Sequence, residues 1–86
     1  MKAYISGKAK KELDDMSNDL QVIFIKHIEK MLKLPPRRHM KHSIPYHVED
    51  ITKQARMIYQ INEDCLQIIR CFKNHKEYER WYKSYK

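Results

Sequence analysis

An 86-residue chain has room for one domain, and a fold of this size buries only about 60–65% of the surface its unfolded chain exposes, so its stability is modest. Eighteen Lys and Arg against eleven Asp and Glu give a formal net charge of +7, which points to phosphate backbones or acidic proteins as partners without choosing between them. No apolar run approaches the roughly 20 residues that span a bilayer, and Met1-Lys2-Ala3-Tyr4-Ile5 leads into charged residues, so neither a membrane partner nor a signal peptide is expected.

Residues 2–6 read as a short first strand, with Ala3 and Ile5 on one face. Ser6 can cap a polar helix over 7–16, whose narrow apolar side holds Ala9, Leu13 and Met16. Ser17 or Asn18 can cap the next helix, where Asp19 places a negative charge in the first turn. Leu20, Ile23, Phe24, His27, Ile28 and Met31 follow helical spacing on one face. Val22, Ile25 and Leu32 widen that surface, which predicts a largely covered helix. It ends at Leu34-Pro35-Pro36, because a residue before proline avoids the helical region.

Residues 35–45 then read as a basic loop, in which Arg37, Arg38, His39, Lys41 and His42 have no acid among them. Residues 46–51 and the β-rich stretch 55–61 (ARMIYQI) read as two strands. The polar turn Asn62-Glu63-Asp64 predicts a hairpin to a fourth strand over 65–72. Asn74 can cap a last helix over 75–85. The order β-α-α-β-β-β-α predicts a single α+β domain over the whole chain: two helices on one face of a small, twisted, mostly antiparallel sheet, the other face partly open to a polar ligand.

Strand alternation sets Arg56, Ile58 and Gln60 on one face and Met57, Tyr59 and Ile61 on the other. It likewise groups Leu66, Ile68, Arg70 and Phe72, opposite Cys65, Gln67, Ile69 and Cys71. Arg56 is then a charge among apolar neighbours: either a side chain reaching sideways to water, or a guanidinium fixed on a rigid strand to grip a phosphate in two places. Cys65 and Cys71 lie about 20 Å apart along one strand, beyond disulfide reach, and read as free thiols of a reducing, cytoplasmic compartment.

Arg56-Met57-Ile58-Tyr59, a short acidic turn, and a strand running into Phe72-Lys73-Asn74-His75-Lys76-Glu77-Tyr78 together resemble the RelE/ParE toxin superfamily. Met40-Lys41-His42 stands before the second strand much as a Leu-Lys-His element does in the YoeB branch. The resemblance covers nearly the whole chain and rests on the order and spacing of short motifs. It implies the toxin of a type II toxin–antitoxin pair, a ribosome-dependent endoribonuclease that works without metal or cofactor. It also implies partners: a cognate antitoxin in a hetero-oligomer, and mRNA on the ribosome with contacts to ribosomal RNA. By position, Arg56 matches the family's phosphate-binding arginine, His75 and Tyr78 its C-terminal catalytic pair, and Lys41 its loop cation. Three departures stand out. Arg37-Arg38-His39 replaces the region of the YoeB glutamate base, Gln54-Ala55 replaces a glycine before the arginine motif, and the chain continues past Tyr78 into Glu79-Arg80-Trp81-Tyr82-Lys83.

The chemistry such residues suit is attack of an RNA 2′-hydroxyl on the neighbouring phosphorus. Arg56 and Lys41 would stabilise the added negative charge, His75 would protonate the leaving oxygen, and Tyr78 would position groups or pass a proton. His42 or Lys41 would take the 2′ proton. Arg37, Arg38, His42, Arg70, Lys73 and Lys76 would hold RNA, and Tyr46, Tyr78 or Tyr82 could stack on bases, whereas Trp81 reads as packing. His39, His42 and His47 lack the Cys pair or acid that would complete a zinc site, and His27 reads as a satisfied, half-buried histidine. Two other readings remain: a ParE-like gyrase inhibitor that cuts nothing, and a basic RNA-binding module.

Overall fold

Seven elements follow in the expected order in a computed structural model that describes residues 2–33 and 46–84. They are β1 (Lys2–Ile5), α1 (Gly7–Asp14), α2 (Asn18–Lys33), β2 (His47–Asp50), β3 (Arg56–Asn62), β4 (Cys65–Phe72) and α3 (His75–Lys83). The local capping chemistry sets the helix starts. Ser6 Oγ accepts the Ala9 N–H at 3.0 Å, Ser17 Oγ the Leu20 N–H at 3.3 Å, and Asn74 Oδ1 the Glu77 N–H at 2.8 Å. α1 stops at Asp14, short of the predicted Met16, because the Met16 N–H turns back to the Leu13 carbonyl at 3.0 Å to clear the way for the Ser17 cap. The expected elements over 35–45 lie outside the described residues, as does Tyr85.

The sheet order is β1-β4-β3-β2, with β1 parallel to β4 and the other pairs antiparallel. β1 ends where Ser6 turns into α1, which leaves the far half of β4 without a strand on that edge, its other edge being paired with β3. Side chains take its place. Ser6 Oγ donates to the Ile69 carbonyl at 2.9 Å, and Glu12 Oε1 accepts the Cys71 N–H at 3.0 Å.

One face of the sheet carries α1 and α2. Ala9, Leu13, Phe24 and Ile28 pack there on Met57, Tyr59, Leu66 and Ile68. The expected alternation holds along β3 and fails along β4. Ile58 pairs with Arg70 but Tyr59 pairs with Ile68, so Ile69 is an extra residue, a β-bulge. Leu66 and Ile68 therefore face the helices, while Phe72 turns to the opposite side with Ile58. That opposite side is less open than the sequence suggested. α3 lies across it, packing Tyr78, Trp81 and Tyr82 against Val48, Ile58 and Phe72. α2 is also less covered than expected. Val22, Ile23 and Ile25 are 50%, 37% and 42% exposed, and Val22 and Ile25 line a shallow apolar groove of about 390 Å³.

Candidate functional site

Arg56 opens β3 directly opposite Phe72, the last residue of β4. Its side chain is only 14% exposed, and its Nε lies 3.1 Å from Asp50 Oδ1 across the β2–β3 pair. Nη1 donates to the Thr52, Lys53 and Ala55 carbonyls at 2.9, 3.2 and 2.9 Å. Thr52 Oγ1 closes the same turn by accepting the Gln54 and Ala55 N–H groups. The guanidinium is thus locked into the connector, and Nη2 takes no part in these bonds. An arginine held at Nε and Nη1, with no hydrogen bond at Nη2 among the described residues, is a rigid mount for a single phosphate oxygen.

Three residues beyond Phe72, α3 begins with His75, and Tyr78 follows one turn later. The Tyr78 ring is 6% exposed and lies 5.7 Å from the His75 ring and 6.3 Å from Phe72. Burial pushes its phenol above the ordinary tyrosine range, and neighbouring Tyr82, Asp50 and Glu79 push the same way against the opposing Arg56 cation. The Arg56 and Asp50 charges are thus near enough to act on the Tyr78 phenol, whose ring also neighbours that of His75. It stays a neutral phenol at physiological pH, a donor and acid rather than a base. His75 Nε2 lies 2.9 Å from Glu79 Oε1, and its Nδ1 is buried with no hydrogen-bond partner among the described residues.

The remaining expected residues are not gathered here. Arg70 grips Glu12 through Nε and Nη2, at 3.0 and 2.7 Å to Oε2, and its guanidinium lies 4.8 Å over the Phe72 ring. It braces β4 to α1. Lys73 faces the α1 side, in a small cleft with Glu12, Asp15 and Glu77, 4.0 Å from the last of these. Lys76 is exposed on the first turn of α3. Arg37, Arg38, Lys41 and His42 lie outside the described residues. Trp81 packs on Phe72 and Tyr46, with ring centres 5.7 and 6.0 Å away, as the sequence suggested. His27 is half-buried and meets Glu49 at 3.4 Å. Among the described residues no three His, Cys, Asp or Glu side chains converge as a metal site would require.

Sequence reasoning passed over Asp50, Glu79 and Glu12, the three carboxylates that hold Arg56, His75 and Arg70. Only Glu79 left a local signal, its four-residue spacing from His75 on one helix face. Among the described residues no helix is long and apolar enough to cross a membrane.

No protein-family model and no curated protein matches the chain. Solved structures do share its fold. A YoeB/ParE toxin from Agrobacterium tumefaciens superposes with a TM-score of 0.69, over 84% of this chain and 96% of that one, at 16% identity. A copper-bound mutant toxin from Helicobacter pylori superposes with a TM-score of 0.65, over 90% of this chain and 97% of that one, also at 16% identity. With three helices on a four-stranded sheet among its described residues, this chain has the fold of these toxins.

Proposed function

We propose that this chain is the toxin of a toxin–antitoxin pair and that it cleaves mRNA on the ribosome. The observation that supports the reading is that Arg56 pairs with the last residue of β4, three residues before His75, while the Tyr78 ring neighbours that of His75 and its phenol feels the Arg56 charge. In the proposed reaction the 2′-oxygen forms a bond to phosphorus and the bond from phosphorus to the 5′-oxygen breaks. A base takes the 2′ proton, and His75 gives a proton to the 5′-oxygen. The products are a 2′,3′-cyclic phosphate and a 5′-hydroxyl. Arg56 stabilises the charge on the pentacoordinate phosphorus, and Tyr78 donates a hydrogen bond to it. Lys41 adds a second cation, with Lys41 or His42 as the base. Arg37, Arg38, Lys73 and Lys76 contribute to RNA affinity through charge.

The net charge of +7 suits RNA and an acidic antitoxin alike. An antitoxin segment with apolar anchors would also cover the Val22–Ile25 strip. Purified ribosome-bound cleavage tests the reading: Arg56→Ala and His75→Ala should each slow cutting at least about a hundredfold. Undiminished cutting by both variants would reject it.

A specific observation favours a second reading. Arg56 already spends Nε on Asp50 of β2 and Nη1 on its own connector, and α3 covers the second face of the sheet, as a toxin that blocks a protein target without cutting RNA could allow. Expression in cells separates the two, through which fails first, protein synthesis or DNA supercoiling.

A further inference from the structure

α2 buries one face and leaves another bare. Phe24, Ile28 and Met31 sit in the core, whereas Val22 and Ile25 stay exposed on the other side of the helix. Their groove is lined by α2 residues alone: Asn18, Gln21, Val22, Ile25, Lys26 and Glu29, the spacing of one helical stripe. Along the helix that stripe runs polar, polar, apolar, apolar, polar, polar, so its pattern survives reversal. A second α2 laid antiparallel on it, about a twofold axis between Val22 and Ile25, sets Val22 on Ile25, Gln21 on Lys26 and Asn18 on Glu29. The polar partners match. Gln21 Nε2 donates to the Met16 carbonyl at 3.0 Å, which leaves Oε1 to accept from the Lys26 ammonium of the other copy. The Asn18 amide can donate to the Glu29 carboxylate.

Charges beside the stripe select the same arrangement. Asp19, Lys26 and Lys30 are exposed and follow one flank of the helix, seven and four residues apart. None of them forms an ion pair among the described residues. Antiparallel packing brings equivalent flanks together. Asp19 of one copy then falls between Lys26 and Lys30 of the other, about 3 Å along the axis from each. Symmetry repeats the cluster at the far end. A parallel pair would instead set Asp19 on Asp19 and lysine on lysine. The antiparallel pair also places the first turn of α2, which holds Asp19, beside the last, which holds Lys30 and Lys33.

We propose that this stripe is a self-association surface through which two copies of the chain pair, α2 against α2, antiparallel about that axis. The inference does not depend on whether the chain cuts RNA. With 16 residues, α2 is about 24 Å long, so one helix pair buries less than the roughly 800 Å² per partner of a standard interface. The dimer is therefore weak, with a Kd on the order of 100 µM. An antitoxin segment reaching the same strip would displace the second copy.

Sedimentation equilibrium of the full chain from about 10 µM to about 1 mM tests this, in about 0.15 M salt to screen the net charge of +7 on each copy. The wild type should pass from monomer to dimer across that range. Ile25→Lys, which forces a charge against Val22, should weaken association at least about tenfold. The register is tested by charge. Asp19→Lys makes the flank wholly basic, and Lys26→Glu with Lys30→Glu makes it wholly acidic. Each should self-associate at least about tenfold more weakly than the wild type, and an equimolar mixture of the two should recover wild-type association or better. All four positions are exposed, so the variants keep the fold. A wild type still monomeric at about 1 mM, a dimer indifferent to Ile25→Lys, or a mixture that associates no better than its components would overturn the proposal.

Discussion

Cys65 and Cys71 share one strand and one residue type but not one chemistry. Cys65 is half-buried, whereas Cys71 is buried, and burial pushes its thiol from 9.0 up to about 12, helped by the Glu12 carboxylate and opposed by Arg70. Alkylation at pH 8 should therefore label Cys65 and spare Cys71 in the folded protein, as peptide mass mapping would show; equal labelling would contradict this burial. The same shift links stability to pH. The folded thiol holds its proton more tightly than the unfolded one, so this contribution is complete below pH 9.0 and is lost as pH climbs towards about 12. Urea midpoints across that window should fall more steeply for the wild type than for Cys71→Ala. Tyr78 obeys the same logic with a different use. Its raised phenol remains a donor, so Tyr78→Phe should keep the packing on Phe72 and Tyr82 but lower the cleavage rate, by roughly tenfold or more in the single-turnover assay.

At the scale of elements, Glu12 acts as a substitute strand for the exposed edge of β4. It accepts the Cys71 N–H and grips the Arg70 guanidinium at two points, tying α1 to a position 58 residues away. Glu12→Ala should destabilise the fold by about 2 kcal/mol, from a lost charge-assisted pair and an unsatisfied backbone N–H. In an 86-residue domain that lowers the melting temperature by roughly 10 °C. Arg70→Ala should act on stability in the same way. The hairpin turn offers the opposite sign. Glu63 has a φ of 53°, in the left-handed region that a glutamate side chain disfavours, and Glu63→Asn should raise stability by roughly 0.5–1 kcal/mol in thermal denaturation. The contrast between these features explains what could be read from sequence. Ser6, Asn74 and the 62–64 turn act within a few residues of themselves, and their chemistry was legible. So was the alternation of β3. The Ile69 bulge was not, because a single added residue leaves no mark on composition while reversing the faces of everything after it. Nor was the Glu12–Arg70 pair, which exists only once α1 is docked.

Across the whole molecule, the sheet divides the functions of its two faces. The α1/α2 face holds the larger core, and the α3 face carries an aromatic cluster that ends at Tyr78 and His75. The α3 helix is what set expectation and structure apart most: its amphipathic spacing was visible, but that it would close the second face depends on Trp81, Tyr82 and Val48 meeting in space. Strand register and helix capping also set where Arg56 and His75 lie along the sheet. Arg56 pairs with the last residue of β4, and the Asn74 cap starts the helix almost at once, so strand register and helix capping deliver both groups to one end. Of the proposed site, Arg56, His75 and Tyr78 could be singled out in the sequence, whereas their carboxylate neighbours Asp50 and Glu79 could not, because those contacts arise from strand pairing and from rotamer choice.

If this end of the sheet makes RNA cut itself, the chemistry of the cut ends tests it most directly. Programmed ribosomes treated with the purified chain should yield fragments ending in 2′,3′-cyclic phosphate and 5′-hydroxyl, and a single 2′-deoxy substitution at the scissile nucleotide should abolish cutting there. Fragments with 3′-hydroxyl and 5′-phosphate ends, or undiminished cutting at the deoxy position, would contradict it.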